Sequence, residues 1–322
     1  METLRGPALR RTFPPLDFDR IRTVPLAERE NKVHVEELVR PLHAGMSLRD
    51  WLDALPRQLV GETFREFVGR LRDVHGRGGL LVVMFGGHVI KVGLGPLLVQ
   101  LMERGIVGAV ATNGAGSIHD FELALIGGTS EDVAETIQTG RFGMADETGA
   151  RMNRAFESEP SAGMGYLLGK TIEEGAFPHR GISVLAAAYR LGVPATVHVA
   201  VGNDIIHQHP RANGANLGEA SYADFRRFCS VVAQLDGGAI LNVGSAVILP
   251  EVFLKALTVA RNLGHRVADF VAADFDMIRH YRPGENVVSR PTSMGGHGFR
   301  FTGHHEIMIP LLFACLLDAI EN

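Results

Sequence analysis

Gly79-Leu80-Leu81-Val82-Val83-Met84-Phe85-Gly86-Gly87-His88 and Ile106-Val107-Gly108-Ala109-Val110-Ala111-Thr112-Asn113-Gly114-Ala115-Gly116 decide the fold. Each is an unbroken apolar run that ends in small residues. A strand covered on both faces has no polar alternation, so such runs mark a parallel sheet packed between helices. Between them, Pro96 to Arg104 carries its apolar side chains at helical spacing.

Outward from this pair the cycle recurs. A helical stretch over Ile182–Leu191 leads to a strand over Ala195–Val201, then Gly202-Asn203-Asp204. Tyr222–Leu235 leads to Gly238–Val243 and Gly244-Ser245; Val252–Leu263 leads to Arg266–Ala272 and Ala273-Asp274; a helix over Glu306–Ile320 follows. The alternation predicts an α/β protein with a doubly wound, mostly parallel, Rossmann-like sheet. Ligands of such sheets bind beyond the carboxyl ends of the strands, so residues 86–93, 112–120, 202–210, 244–251 and 272–276 are expected to form one site. Upstream, Glu36–Val39 reads as helical, Ser47 reads as the N-cap of a helix, and Thr63–Val74 places Phe64, Phe67, Val68 and Leu71 on one helical face. Residues 1–33, broken by Phe13-Pro14-Pro15 and Val24-Pro25, read as an N-terminal arm, frayed or laid over a neighbouring subunit. Residues 34–322 read as a single domain, in which 140–180 is the least regular part and suits a lid or an interface.

Composition narrows the function classes. With 322 residues, 46% of them hydrophobic, the chain can bury roughly three-quarters of its unfolded surface. Cys229 and Cys315 sit in apolar helical runs, as reduced buried thiols of a cytoplasmic protein do. No run approaches the ~20 apolar residues of a membrane span, and no apolar stretch follows Arg5, Arg10 and Arg11 as in a signal peptide. The net charge of −4 is dispersed, which gives no footprint for nucleic acid. A small-molecule substrate is therefore expected, with no nucleic acid and no membrane partner. The lysines are Lys32, Lys91, Lys170 and Lys255, so chemistry that needs a lysine has few candidates.

Three constellations carry chemistry. In Thr112-Asn113-Gly114-Ala115-Gly116, small residues and a helix start suit phosphate oxygens, as do Gly86-Gly87-His88 and Gly244-Ser245. A tight turn without ligand is the plain alternative, and the G-x-G-x-x-G fingerprint is absent. The second constellation, Gly202 to Pro210, offers Asp204 to hold an ammonium or hydroxyl, and His207 or His209 as acid or base. An Asx turn with surface histidines is its alternative. His207 and His209 with His304, His305 and Glu306 could ligate a metal, but the spacing is unspecific and no metal is expected. The third, Gly295 to Glu306, puts His305 and Glu306 at the start of the last helix. Lys91, after the first Gly-rich turn, is either a surface lysine or a site cation.

Over residues 78–320 these pieces resemble the deoxyhypusine synthase family. Met84–Gly93 with Pro96–Gly105 is similar to its first NAD-contacting loop and helix, and Val110–Asp120 to its Thr-Ala-Gly-Gly loop with following acidic residues, here Asp120. Gly202–His209 is similar to the Gly-Asp-x-x-x-x-His piece, which puts Asp204 at the acid that holds the amine. Gly238–Ser245 and Gly303–Leu312 resemble the later Gly-rich turn and the stretch before the closing helix. The resemblance implies an NAD site at subunit interfaces of a homotetramer, built from Gly86, Gly87, His88, Thr112, Asn113, Gly114, Asp120, Gly244, Ser245, Asp274 and His304. It implies roles for Asp204 and His209 and aminobutyl transfer from a polyamine; with the constellations above, the catalytic candidates are Asp204, His207, His209, His305, Glu306 and Lys91. The chain departs from the family in Thr292–Phe301, which has neither the Trp nor the catalytic lysine of the Trp-Gly-Lys stretch. Leu249-Pro250-Glu251 replaces a His pair, and His304 an acidic contact. The expected protein is an NAD-dependent enzyme, transferase-like or an oxidoreductase, of altered chemistry on a small polar substrate of polyamine type. Two alternatives stay open: retained homospermidine or deoxyhypusine synthesis through Lys91, and a non-catalytic nucleotide sensor.

Overall fold

A computed structural model describes residues 13–321; Arg5, Arg10 and Arg11 of the expected arm lie outside them. Residues 13–33 and the stretch after them, to Gly45, are almost wholly exposed and contain only short 3₁₀ turns, one of them over Val35–Glu37 where a helix was expected. Helices α1 (Leu48–Ala54) and α2 (Leu59–Gly76) follow, α1 capped by Ser47, whose hydroxyl accepts the Asp50 N–H at 3.0 Å.

The alternation then begins: β1 (Leu81–Phe85), α3 (Gly87–Lys91), α4 (Gly95–Glu103), β2 (Ala109–Asn113) and α5 (Gly114–Ile126). Helices α6 (Val133–Thr136), α7 (Asp146–Ala155), α8 (Met164–Glu174) and α9 (Val184–Leu191) precede β3 (Ala195–His198). The chain continues through α10 (Gly214–Val232), β4 (Ala239–Val243), α11 (Ile248–Asn262), β5 (Val271–Asp276), α12 (Tyr281–Pro283), β6 (His297–Thr302) and α13 (His305–Glu321). Among the described residues six strands form one sheet in the order β3-β2-β1-β4-β5-β6, parallel throughout. This is the doubly wound, Rossmann-like α/β architecture that the apolar runs predict.

One core layer contains Val83, Phe85, Val110 and Leu241 of the sheet with Phe67 of α2 and Phe313 of α13. Phe67 meets Phe275, Phe299 and Phe301 at ring distances of 5.1–5.8 Å. The opposite face puts Val82, Met84, Ile240 and Ala272 against Phe228 of α10 and Phe253 of α11. Strands buried on both faces explain the missing polar alternation.

Four local expectations change. Thr112–Ser117 is no loop: β2 runs to Asn113 and α5 starts at Gly114. Asp274 lies inside β5 rather than past its end, because Asp236 accepts the Ala268 and Asp269 N–H groups and turns the chain before the strand starts at Val271. His297–Thr302, for which no strand was expected, is edge strand β6. Region 140–180 contains α7 and α8, and Gly165 and Gly169 within it are packing positions. A Cβ at Gly165 would overlap the Ala195 carbonyl, and one at Gly169 the Leu185 carbonyl. Only a residue without a side chain lets α8 lie so close to β3 and α9.

Candidate functional site

Strand order reverses between β1 and β4, so the carboxyl ends of these two strands bound the crevice where this architecture binds ligands. Gly86 and Gly244 form its floor. The Gly86 N–H donates to Val243 O at 2.9 Å and the Gly244 N–H to Phe275 O at 3.0 Å. A Cβ on Gly86 would overlap the Gly244 carbonyl. Gly244, at φ +64°, could carry a side chain only by meeting His305 Cε1 at 2.8 Å. His305, first residue of α13 and 1% exposed, lies beside the crevice. Its Nε2 is 3.1 Å from Phe275 O; a carbonyl only accepts, so Nε2 bears the proton and Nδ1 is a bare acceptor. That Nδ1 is buried without a partner, and burial holds the imidazole below its ordinary value. His88 lies edge-on to it at a ring distance of 5.4 Å.

On the other side of α3 lies a cavity of about 1170 Å³ between α5, the segment 128–151 and the loop after β3. Asp204 closes its end. This carboxylate lies against the first residue of α5, where a Cβ on Gly114 would overlap Oδ2. A helix N-terminus favours a negative charge there. His207 Nδ1 accepts the Gly202 and Asp204 N–H groups at 3.1 and 3.2 Å. Its proton is therefore on Nε2, which faces Asp204 Oδ2 at 4.0 Å. Among the described residues neither atom has a hydrogen-bond partner, although the two side chains are 5% and 3% exposed. Burial raises the Asp204 pKa and lowers that of His207, while each charge pulls the other way. A donor and an acceptor have thus been desolvated and left a gap too long for a direct bond.

Several expected site residues serve other ends. The Thr112 hydroxyl is buried and donates to Phe85 O at 2.8 Å. The Asn113 side chain accepts the Gly116 N–H at 2.9 Å as the cap of α5. With Asp204 beside Gly114, side-chain oxygens already lie at the start of α5, where Thr112, Asn113 and Gly114 were expected to cradle phosphate. Asp120 faces away from both the crevice and the cavity. It accepts from Ser183 Oγ at 2.6 Å, Val184 N at 2.8 Å and Leu185 N at 3.0 Å, which anchors the start of α9. Burial pushes its carboxyl up to about 6 against the pull of those donors. Ser245 Oγ accepts the Leu249 N–H at 3.3 Å within α11. Asp274, also pushed up to about 6 by burial, accepts Asn242 Nδ2 at 2.8 Å under the sheet end.

The histidines part company. His209 turns to α7, its Nε2 3.4 Å from Asp146 Oδ1, whereas His207 faces Asp204. His304 and Glu306 form an exposed pair at 3.7 Å, whereas His305 is buried. Among the described residues no three His, Cys, Asp or Glu side chains converge as a metal-ligand set. Gly87 packs against Ala115 and His119 and so joins α3 to α5; exposed Lys91 stands on the cavity rim. The expected residues therefore divide into a crevice (Gly86, Gly244, His88, His305) and a cavity lined by Asp204 and Lys91, with His207 buried against Asp204. Sequence reasoning missed the polar wall of that cavity, where Thr129 Oγ1 donates to Glu122 Oε2 at 2.5 Å and stands 2.7 Å from His119 Nδ1. Its one signal was His119 and Glu122 at i,i+3 on a helix whose Phe121 points inward.

No protein-family model matches the chain, and no curated protein does. Among solved structures, it is similar to AgrE in its ternary complex with ornithine and NAD+ (TM-score 0.51, 15% identity), matched over 81% of this chain and 33% of that one. The chain thus spans about a third of AgrE. It is similar to a conserved candidate LOR/SDH protein from Methanococcus maripaludis S2 (TM-score 0.51, 14% identity, 90% and 74% covered). A candidate deoxyhypusine synthase from Entamoeba histolytica matches at TM-score 0.47 and 10% identity over 85% of this chain and 94% of that one. The first two likenesses establish a shared fold.

Proposed function

We propose that the chain is an NAD-dependent enzyme that holds an amine-bearing substrate at Asp204 and His207. The observation that carries this is the pair of buried, unpartnered atoms facing each other at 4.0 Å, Asp204 Oδ2 and His207 Nε2. Leaving two buried polar atoms unmade costs on the order of 1–3 kcal/mol each, a cost that a ligand relieves. An ammonium or hydroxyl donates to Asp204, while a hydroxyl, carboxylate or uncharged amine accepts from His207.

The glycine contact of Gly86 with Gly244, where no Cβ fits, suits a flat or extended ligand drawn close to the backbone, and the bare His305 Nδ1 would accept from a ribose hydroxyl or carboxamide. A nicotinamide dinucleotide bound there would supply a hydride acceptor. The chain's own part is to exclude water from Asp204 and His207, to keep the amine oriented, and to hold His305 as an acceptor. The fold shared with AgrE, whose complex contains ornithine and NAD+, supports the same pairing of ligands. The altered reaction follows from the residues at 292–301, which offer no lysine for an imine. A homo-oligomer would cover the exposed Phe13, Leu16, Phe18 and Ile21 of the arm; light scattering tests it.

Calorimetric titration of the full chain with NAD+ and with NADP+, followed by L-ornithine or 1,4-diaminobutane, tests the function. Binding of one dinucleotide and then of an amine is expected. A folded chain that binds neither dinucleotide overturns the cofactor assignment, and one that binds no amine overturns the substrate class.

A further inference from the structure

The cavity next to Asp204 contains a second, half-buried arrangement, on residues that the reading above does not use. Thr129 follows the end of α5 at Gly127, whose left-handed φ of +74° turns the chain back across the helix. The hydroxyl thereby comes 2.7 Å from His119 Nδ1 and 2.5 Å from Glu122 Oε2. The second Glu122 oxygen accepts from Thr148 Oγ1 of α7 at 2.9 Å. Both carboxylate oxygens are thus fixed, one from each side of the cavity.

Proton counting decides the rest. An ionised carboxylate only accepts, so the single Thr129 proton points to Glu122. The hydroxyl oxygen must then accept from His119, which places the imidazole proton on Nδ1 and leaves Nε2 with its lone pair. Burial keeps His119 below its ordinary pKa, opposed by Glu122 and assisted by Lys91 on the cavity rim. His119 and Lys91 line the same cavity as Asp204. His119 lies five residues along α5 from Gly114, against which Asp204 rests, or about 7.5 Å of helix axis.

We propose that His119 Nε2 is the proton acceptor of this cavity, its tautomer set by Thr129 and Glu122, and that it takes the proton released by the substrate held at Asp204. The proposal rests on the function proposed above for its substrate. In the step, the N–H or O–H bond of the substrate breaks, its electron pair stays on the substrate nitrogen or oxygen, and the proton moves to Nε2. The resulting imidazolium donates from Nδ1 to Thr129, and Thr129 to Glu122, whose charge stabilises it without itself taking the proton. Sequence alone gives no reason to join Thr129 and Thr148 to His119.

The test uses the full chain without ligand. Long-range ¹H–¹⁵N spectra, assigned with His119→Gln, should show His119 as the neutral Nδ1–H tautomer. Thr129→Val and Glu122→Gln should each move the tautomer ratio roughly tenfold toward Nε2–H, and Thr129→Ser should restore it. Carbethoxylation of His119 by diethyl pyrocarbonate, read by mass spectrometry, should slow in step in the first two variants. Circular dichroism confirms that each is folded, and two independent variants cover the loss of one. An Nε2–H tautomer in the parent chain, or a reaction rate unchanged in both variants, overturns the proposal. Neither outcome touches dinucleotide or amine binding, and loss of those in calorimetry would overturn the function while leaving this tautomer in place.

Discussion

Asp120 and Asp204 are both buried aspartates beside the first turn of a helix, and they do opposite things. Asp120 accepts three donors at the start of α9. Asp204 lies at the start of α5 with Oδ2 partnerless. Both fit the preference of a helix N-terminus for negative charge, and burial shifts both carboxyls upward. The number of donors separates them. A carboxylate whose oxygens are all bound holds two elements together, whereas one buried with a bare oxygen next to an opposed bare N–H is held ready for something else.

The largest expected effect is on the first member. Asp120→Ala leaves the Val184 and Leu185 N–H groups buried without an acceptor, and at about 1–3 kcal/mol for each unsatisfied donor urea unfolding should show a loss of about 2–5 kcal/mol. The same substitution at Asp204 should cost less, about 1 kcal/mol, since Oδ2 makes no bond and Ala loses only the Asn203 contact and the cap of the turn at Ile205–Gln208. Equal destabilisation by both would break the comparison. Next, Gly86→Ala drives a methyl group into the Gly244 carbonyl and should cost about 1–3 kcal/mol together with dinucleotide affinity. An unchanged melting temperature and unchanged NAD+ titration would remove the crevice from the account.

The smallest effect sharpens the second member. An ammonium needs Asp204 ionised, and burial raises its carboxyl above the ordinary 3.8. Protonation of the carboxyl on acidification then removes the acceptor, so amine affinity should fall as pH drops, and should begin to fall earlier than for an exposed carboxylate. Titration of 1,4-diaminobutane binding against pH checks the sign. Affinity that stays level down to the ordinary carboxylate range would show that Asp204 does not hold the amine.

The sheet was legible because strands buried on both faces leave unbroken apolar runs, as at Leu81–Phe85 and Ala239–Val243. Strand β6 was not, since as an edge strand it exposes Gly298, Arg300 and Thr302 and starts among glycines. Helix α8 hid for a related reason: Gly163, Gly165 and Gly169 look like loop punctuation, but Gly165 and Gly169 give close approach to β3 and α9. At the site, Asp204 and His207 were legible because they follow a strand end within a few residues. Thr112, Asn113 and Asp120 occupy equally suggestive positions, and only their hydrogen-bond partners show that they serve the fold. His119 and Thr129 could not be joined by sequence, because a left-handed Gly127 brings them together across ten residues.

Calorimetric titration of L-ornithine and 1,4-diaminobutane into the NAD+-saturated chain and its Asp204→Asn variant tests the central claim most directly. A charge-assisted bond to Asp204 is worth about 1.5–3 kcal/mol, so the variant should bind the amine at least tenfold more weakly while its NAD+ affinity is unchanged. Equal amine affinity in the two proteins would contradict the account.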